Sequence, residues 1–195
     1  MKMVRILAAM LATAMPASTA AQKAQDEPVS ALRPGLGATY FPSFFDGGGA
    51  LGFQALLRTG PAAGAGAEFA YTYVPSSTSS PDPGMHTIRA MYTLNGRPSA
   101  ASRLAYGVAV GGSLMRMRDS GYVCPPPPAM CELGGIQKTR IAPSAGMDVH
   151  FAATRWLGLS ASTRVHRAIG DGWRRDGSPW LTELTLGLQV LRLRL

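Results

Sequence analysis

"LTELTLGLQVLRLRL" occupies residues 181–195, and its alternation decides the fold. Leu184, Leu186, Leu188 and Val190 share one side of an extended chain, with Glu183, Thr185, Gly187 and Gln189 on the other. Successive side chains of a strand point oppositely, so this is a strand with one apolar face and one small or polar face. Which face is wet separates a soluble protein from a membrane one.

The same pattern recurs upstream. Ala65, Ala67, Phe69, Tyr71 and Tyr73 oppose Gly66, Glu68, Ala70 and Thr72. Leu104, Tyr106, Val108 and Val110 oppose Ala105, Gly107, Ala109 and Gly111. Ile141, Ala145, Met147, Val149 and Phe151 oppose Ser144, Gly146, Asp148 and His150, and Leu157, Leu159, Ala161 and Val165 oppose Gly158, Ser160, Ser162, Arg164 and His166. Between such runs lie "FPSFFDGGG", "RTGPAAG", "VPSSTSSPDPG", "NGRPSAAS", "DSGYVCPPPPAMCELGG", "AATRW" and "AIGDGWRRDGSP", most of them rich in turn-forming Gly, Pro, Asn, Asp and Ser. These breaks leave eight segments, near 33–42, 50–58, 64–75, 85–95, 103–117, 138–152, 156–167 and 179–194. Helical periodicity is poor, and the march of short strands and turns predicts an all-β meander.

The other end of the chain bears on compartment. Lys2 and Arg5 precede an apolar run and then the small residues Ala17, Ser18, Thr19, Ala20 and Ala21, the layout of a secretory signal peptide. The expected organisation is a signal peptide at 1–21, a short polar leader at 22–31 and one barrel domain at 32–195. No later segment reaches the ~18 apolar residues of a membrane-spanning helix. Hydrophobic residues make up 46% of the chain, which excludes a disordered protein. The net charge of +8 falls by two with Lys2 and Arg5, and the remaining arginines are scattered, so no nucleic-acid partner is expected.

Two closed barrels could use these strands. A soluble barrel places large apolar groups around a ligand and long charged groups outside. A membrane barrel has an apolar outer band and a polar interior. Here the second face is small as well as polar, which suits an eight-stranded lumen just wide enough for side chains to fill it. The leucine face of the closing strand therefore meets lipid, and its Glu183–Gln189 face is wet. Aromatics gather at two levels, as membrane girdles do. Phe41, Phe44, Phe45, Tyr71, Tyr73 and Trp180 mark one level, and Tyr92, Tyr106, Phe151 and Trp156 the other. The second, fourth and sixth connections are short and read as periplasmic turns, with both termini in the periplasm and Arg33, Arg58, Arg97, Arg103, Arg155, Arg192 and Arg194 at that rim.

With signal, strands and closing segment assembled, the chain resembles the small eight-stranded outer-membrane β-barrels of Gram-negative bacteria, the OmpA/OmpX-like barrel domain. The resemblance is architectural and covers nearly all of the chain after the signal. It implies an eight-stranded antiparallel up-and-down transmembrane β-barrel in the outer membrane, inserted by the barrel assembly machinery. That machinery reads the last strand, which in the family usually ends in an aromatic residue; here Leu195 stands in that place. Two local departures are Pro143 inside the sixth segment, which removes a ladder donor, and a shift of apolar phase between Val190 and Leu191.

Cys124 and Cys131 bracket "PPPPAM" in an outward loop and are the only cysteines of an exported chain, so a loop disulfide is expected. Metal binding by the pair is the alternative, although no His lies near it in sequence. Glu68, Arg89, Asp148, Arg164 and Glu183 fall on the lumen face, with Arg164 expected roughly opposite Glu183, and read as an internal ion-pair network, since buried charges are costly unless paired. Asp148, His150 and Ser160 hold the ingredients of a nucleophilic triad. They point into the lumen, whereas outer-membrane lipid-modifying enzymes need residues that lipid can reach, so no catalytic residue is assigned. No phosphate loop, zinc spacing or nucleotide motif occurs, and neither cofactor nor metal is expected. The expected function is a non-enzymatic outer-membrane barrel with a structural or surface-interaction role, in contact with outer-membrane lipid and open to an extracellular partner through its loops. A narrow channel, a hydrophobic-solute conduit and a lipid-modifying enzyme are the competing readings.

Overall fold

The computed structural model describes residues 32–45, 48–61, 63–75, 84–99, 101–123, 132–170 and 178–191. Eight strands follow one another: β1 (Arg33–Phe45), β2 (Gly48–Thr59), β3 (Gly64–Val74), β4 (Gly84–Gly96), β5 (Leu104–Val123), β6 (Glu132–Ala152), β7 (Leu157–Arg167) and β8 (Trp180–Val190). Each pairs antiparallel with its neighbours, and β8 returns to β1 to close the sheet. The closing seam runs from Gly35↔Gln189 to Tyr40↔Leu184. Closure matters because an unpaired strand edge cannot be satisfied in hydrocarbon.

The alternation places apolar groups outward on every strand. Leu36, Leu51, Phe53, Ile88, Val110, Ile141, Met147 and Leu186 are all more than half exposed on the outer surface, a distribution that suits a lipid-facing band and no aqueous one. Arg155 lies 5.3 Å from the Trp156 ring at the end bearing the short turns, and Arg167 lies 5.7 Å from the Trp180 ring at the opposite, loop end. Between these pairs β7 runs for 11 residues. At ~3.3 Å per residue and ~40° of tilt this spans about 28 Å, close to the ~25 Å apolar band of such barrels. His86 also faces outward near the loop end. Its polarity is absorbed by the girdle: the Tyr71 hydroxyl meets Nδ1 at 2.7 Å and the Tyr73 ring lies 5.0 Å away.

The short turns hold themselves closed. Thr154 Oγ1 accepts from the backbone N–H groups of Trp156 and Leu157 at 3.2 and 3.0 Å. Gly60 adopts φ of 95° at the end of β2, and a Cβ there would meet Ala65 O at 2.7 Å and Gly66 Cα at 2.8 Å, so this position needs glycine.

Several expectations are corrected here. The fifth and sixth segments are much longer than 103–117 and 138–152: pairing continues from Arg118↔Gln137 to Val123↔Glu132, past the last β4 partner at Gly84↔Arg118. The Gly- and Ser-containing flanks of this hairpin read as turn because their composition hides strands that pair only with each other. Pro143 does not break β6. It pairs with Gly112 on the β5 side and stands one residue outside the run Ser144–Ala152 that pairs with β7. The phase change after Val190 is the end of β8, with the Leu191 N–H turning to Trp156 O at 2.9 Å. Phe41 points into the lumen and is fully buried, so it is no girdle residue. Arg33 and Arg58 stand at the short-turn end, but both turn inward and are buried: Arg33 donates to Gly60 O and Pro61 O at 2.9 and 3.2 Å, and Arg58 joins the lumen charges.

Candidate functional site in the lumen

The inward faces of β2, β3, β4, β6, β7 and β8 converge on one ion network. Arg58 on β2 donates to Glu68 through Nε at 2.8 Å and Nη2 at 2.5 Å, and through Nη2 to Asp148 Oδ1 at 2.7 Å. Arg89 on β4 donates from Nη1 to both Glu183 oxygens at 2.7 Å, and from Nη2 to Glu68 Oε1 at 3.0 Å. Arg164 on β7 grips Asp148 with Nη2 at 2.8 and 2.9 Å and reaches Glu68 Oε2 at 3.1 Å. Three guanidiniums meet three carboxylates, all at most 4% exposed, so the cluster balances its own charge where unpaired ions would be costly.

The bridges have a common geometry. Arg58–Asp148 joins β2 to β6, Arg164–Glu68 joins β7 to β3, and Arg89–Glu183 joins β4 to β8. Strands four apart in an eight-stranded ring stand on opposite walls, so each bridge crosses the full lumen. Glu68 serves as the hub because all three arginines reach it.

The structure brings together all five residues expected in the network, but with different partners. Arg164 and Glu183 are register neighbours, as expected. They are not each other's ion partners: Arg164 goes to Glu68 and Asp148, while Glu183 takes Arg89. A long arginine side chain reaches across so narrow a ring as readily as it reaches the next strand. The network also recruits residues not anticipated. Gln54 Nε2 donates to Glu183 Oε1 at 2.7 Å and to Thr72 Oγ1 at 3.1 Å. Arg58 Nη1 lies against the His150 ring. His166 Nε2 meets Glu183 Oε2 at 3.0 Å, while its Nδ1 faces Ser144 Oγ at 2.7 Å and Ser113 Oγ at 3.2 Å. A carboxylate only accepts, so Nε2 carries a proton and donates it to Glu183.

Towards the loop end the lumen changes character. Phe41, Ala50, Val74, Met85, Met115, Met117, Ala142, Ala168 and Leu181 form one buried apolar cluster. β1 to β6 and β8 each supply a member, and Ala168 follows directly on β7, so a greasy ring closes over the Ser113–Ser144–His166 layer. Sequence reading took the whole inward face as small and polar and missed this ring; continuing the alternation to the strand ends would have found Val74, Met85, Met115, Met117 and Leu181.

Two of the triad ingredients are taken up by the ion network. Asp148 is held by Arg58 and Arg164, and His150 stands against Arg58. Ser160 is the register partner of His150 on the next strand. Cys124 and Cys131 lie outside the described residues.

No family model and no curated protein matches the chain. Among solved structures, Ail, the attachment invasion locus protein of Yersinia pestis, superimposes with a TM-score of 0.58 at 10% identity, covering 84% of this chain and 99% of that one. Neisserial surface protein A does so with a TM-score of 0.55 at 18% identity, covering 84% and 99%. The chain has the fold of the small eight-stranded outer-membrane barrels. A major outer membrane protein from Thermus thermophilus shares this outer-membrane barrel fold, with a TM-score of 0.55 at 11% identity over 82% and 99% of the two chains. The agreement is one of strand number, closure and size, which are the features that set the lumen's width.

Proposed function

We propose that this protein is a non-enzymatic outer-membrane barrel with a sealed lumen, serving as a structural element that offers its loop end to a partner outside the cell. The observation that carries the reading is the double closure of the lumen: three ion pairs cross its diameter, and an apolar ring lies over them. A solute path would have to break both. The short turns and both chain ends face the periplasm in this reading. The β5–β6 hairpin, which pairs beyond the reach of β4, projects outward as the natural contact surface. Outer-membrane lipid surrounds the barrel, and the barrel assembly machinery inserts it.

Planar-bilayer recording of the refolded chain tests the seal. The expected result is baseline conductance; reproducible unitary steps that disappear on heat denaturation would establish the channel reading instead. Fractionation with outer membranes and heat-modifiable gel mobility are expected alongside.

The hairpin end is proposed to be fastened by a Cys124–Cys131 disulfide. Val123 and Glu132 are register partners, and each cysteine is the next residue along. A maleimide reagent should label neither cysteine in the denatured, unreduced protein and both after reduction. Full labelling without reductant would remove the bridge from the account.

A further inference from the structure

Met85, Met115 and Met117 are more than ring filler. On the inner wall Met85 is the register partner of Met117, and Thr87 that of Met115. The four make a two-by-two block of inward positions on adjacent strands: three thioethers and one hydroxyl. Directly paired Cβ atoms of such a block lie ~4.5–5.5 Å apart and diagonal ones ~7–8 Å, within reach of side chains as long and free-turning as methionine. Met85 and Met115 are fully buried and Met117 is 9% exposed. Thr87 is 1% exposed, and its Oγ1 finds no hydrogen-bond partner among the described residues. A buried hydroxyl without a partner is unfavourable, and apolar packing alone gives no reason to place one here.

We propose that this block is a binding site for a soft monovalent metal ion, Cu(I) or its analogue Ag(I), held by the thioethers of Met85, Met115 and Met117 with Thr87 Oγ1 turned towards it. Thioether sulfur is a soft ligand that favours such ions over Mg²⁺ or Ca²⁺. The surroundings point the same way. Arg89, two residues from Thr87, is already paired with Glu68 and Glu183. The block itself holds no carboxylate, the oxygen ligand that Mg²⁺ or Ca²⁺ takes, so only a soft ion finds its preferred ligands there. The apolar ring around the sulfurs keeps the site dry, so water does not compete with the thioethers for the ion. The site lies between the ion network and the loop end, so the ion would enter from that end.

The test uses the full mature chain refolded in detergent, with Cys124→Ser and Cys131→Ser to remove competing thiols. Anaerobic titration with Cu(I) against a chromogenic Cu(I) chelator is expected to show one ion retained per barrel. The Met85→Leu/Met115→Leu/Met117→Leu variant, which keeps apolar volume, should lose that retention while keeping heat-modifiable mobility. Should that variant not fold, methyl NMR of the methionine-labelled protein during Ag(I) titration decides. Shifts confined to Met85, Met115 and Met117, with Met91 and Met147 unmoved, support the site. No uptake by the folded Cys-free barrel, equal uptake by the leucine variant, or shifts centred on other methionines would overturn it.

Discussion

Arg89→Met is expected to lower the unfolding free energy of the barrel by about 3–5 kcal/mol, the cost of removing one partner from a buried ion pair. Arg89 is 1% exposed, Glu183 is fully buried, and Arg89 is the guanidinium that meets both Glu183 oxygens. Without it, Glu183 keeps Gln54, Thr185 and His166 as neighbours but no arginine among the described residues. Glu68 loses one of three arginines and retains two. The damage should therefore concentrate on Glu183, and the double variant Arg89→Met/Glu183→Gln should recover much of the loss. A neutral amide can still bond with Gln54 and His166, and it removes the stranded charge. Urea unfolding of the barrel refolded into lipid vesicles, followed by tryptophan fluorescence, measures the wild type and both variants. A double variant no more stable than Arg89→Met would show that packing, not charge, holds this level of the lumen. Arg164→Ala should cost less, because Asp148 and Glu68 both keep Arg58.

The contrast between these two arginines marks what could be read from sequence. Parity along a strand says which residues face inward, and it placed Glu68, Arg89, Asp148, Arg164 and Glu183 in the lumen, where the structure also has them. Parity says nothing about which charge meets which. Neighbours in register are one candidate, but a closed ring brings opposite walls equally near, and partners on β2/β6, β3/β7 and β4/β8 follow from closure. Arg58 was legible in principle. Leu51, Phe53, Ala55 and Leu57 point outward, so the next even-numbered position belongs inside. Its nearness to the "RTGPAAG" turn outweighed that count. The apolar ring was harder, because at the loop end both faces of a strand are apolar and composition no longer separates lumen from lipid. The extended β5–β6 hairpin shows the opposite difficulty: its Gly-containing flanks carry turn residues in what is continuous strand.

Leu186→Arg should cost about 2–4 kcal/mol, because a guanidinium at mid-bilayer must be taken out of water. Leu186 is 71% exposed on the outer wall and pairs on either side with Ala38 and Ala161, so no neighbouring side chain could shield the charge. It lies well inside the band marked by Trp180 and Trp156. Val108 and Val149 face the same way and should also resist arginine. Leu159→Arg should cost less than Leu186→Arg, since its register partners are Phe151 at the turn-end girdle and Leu188, and arginine there can reach the head groups. Ser160→Ala, one residue further on but inward, should cost least. It deletes a single hydroxyl and leaves the ion network untouched. Unfolding in vesicles gives this order directly. The decisive contrast is between environments. If the outer wall meets lipid, the Leu186→Arg penalty should be large in vesicles, and the wild-type barrel should need detergent or lipid to stay folded and monomeric. A folded, monomeric chain recovered without either, tolerating arginine at Leu186, would mean that this leucine face is covered by something other than a bilayer.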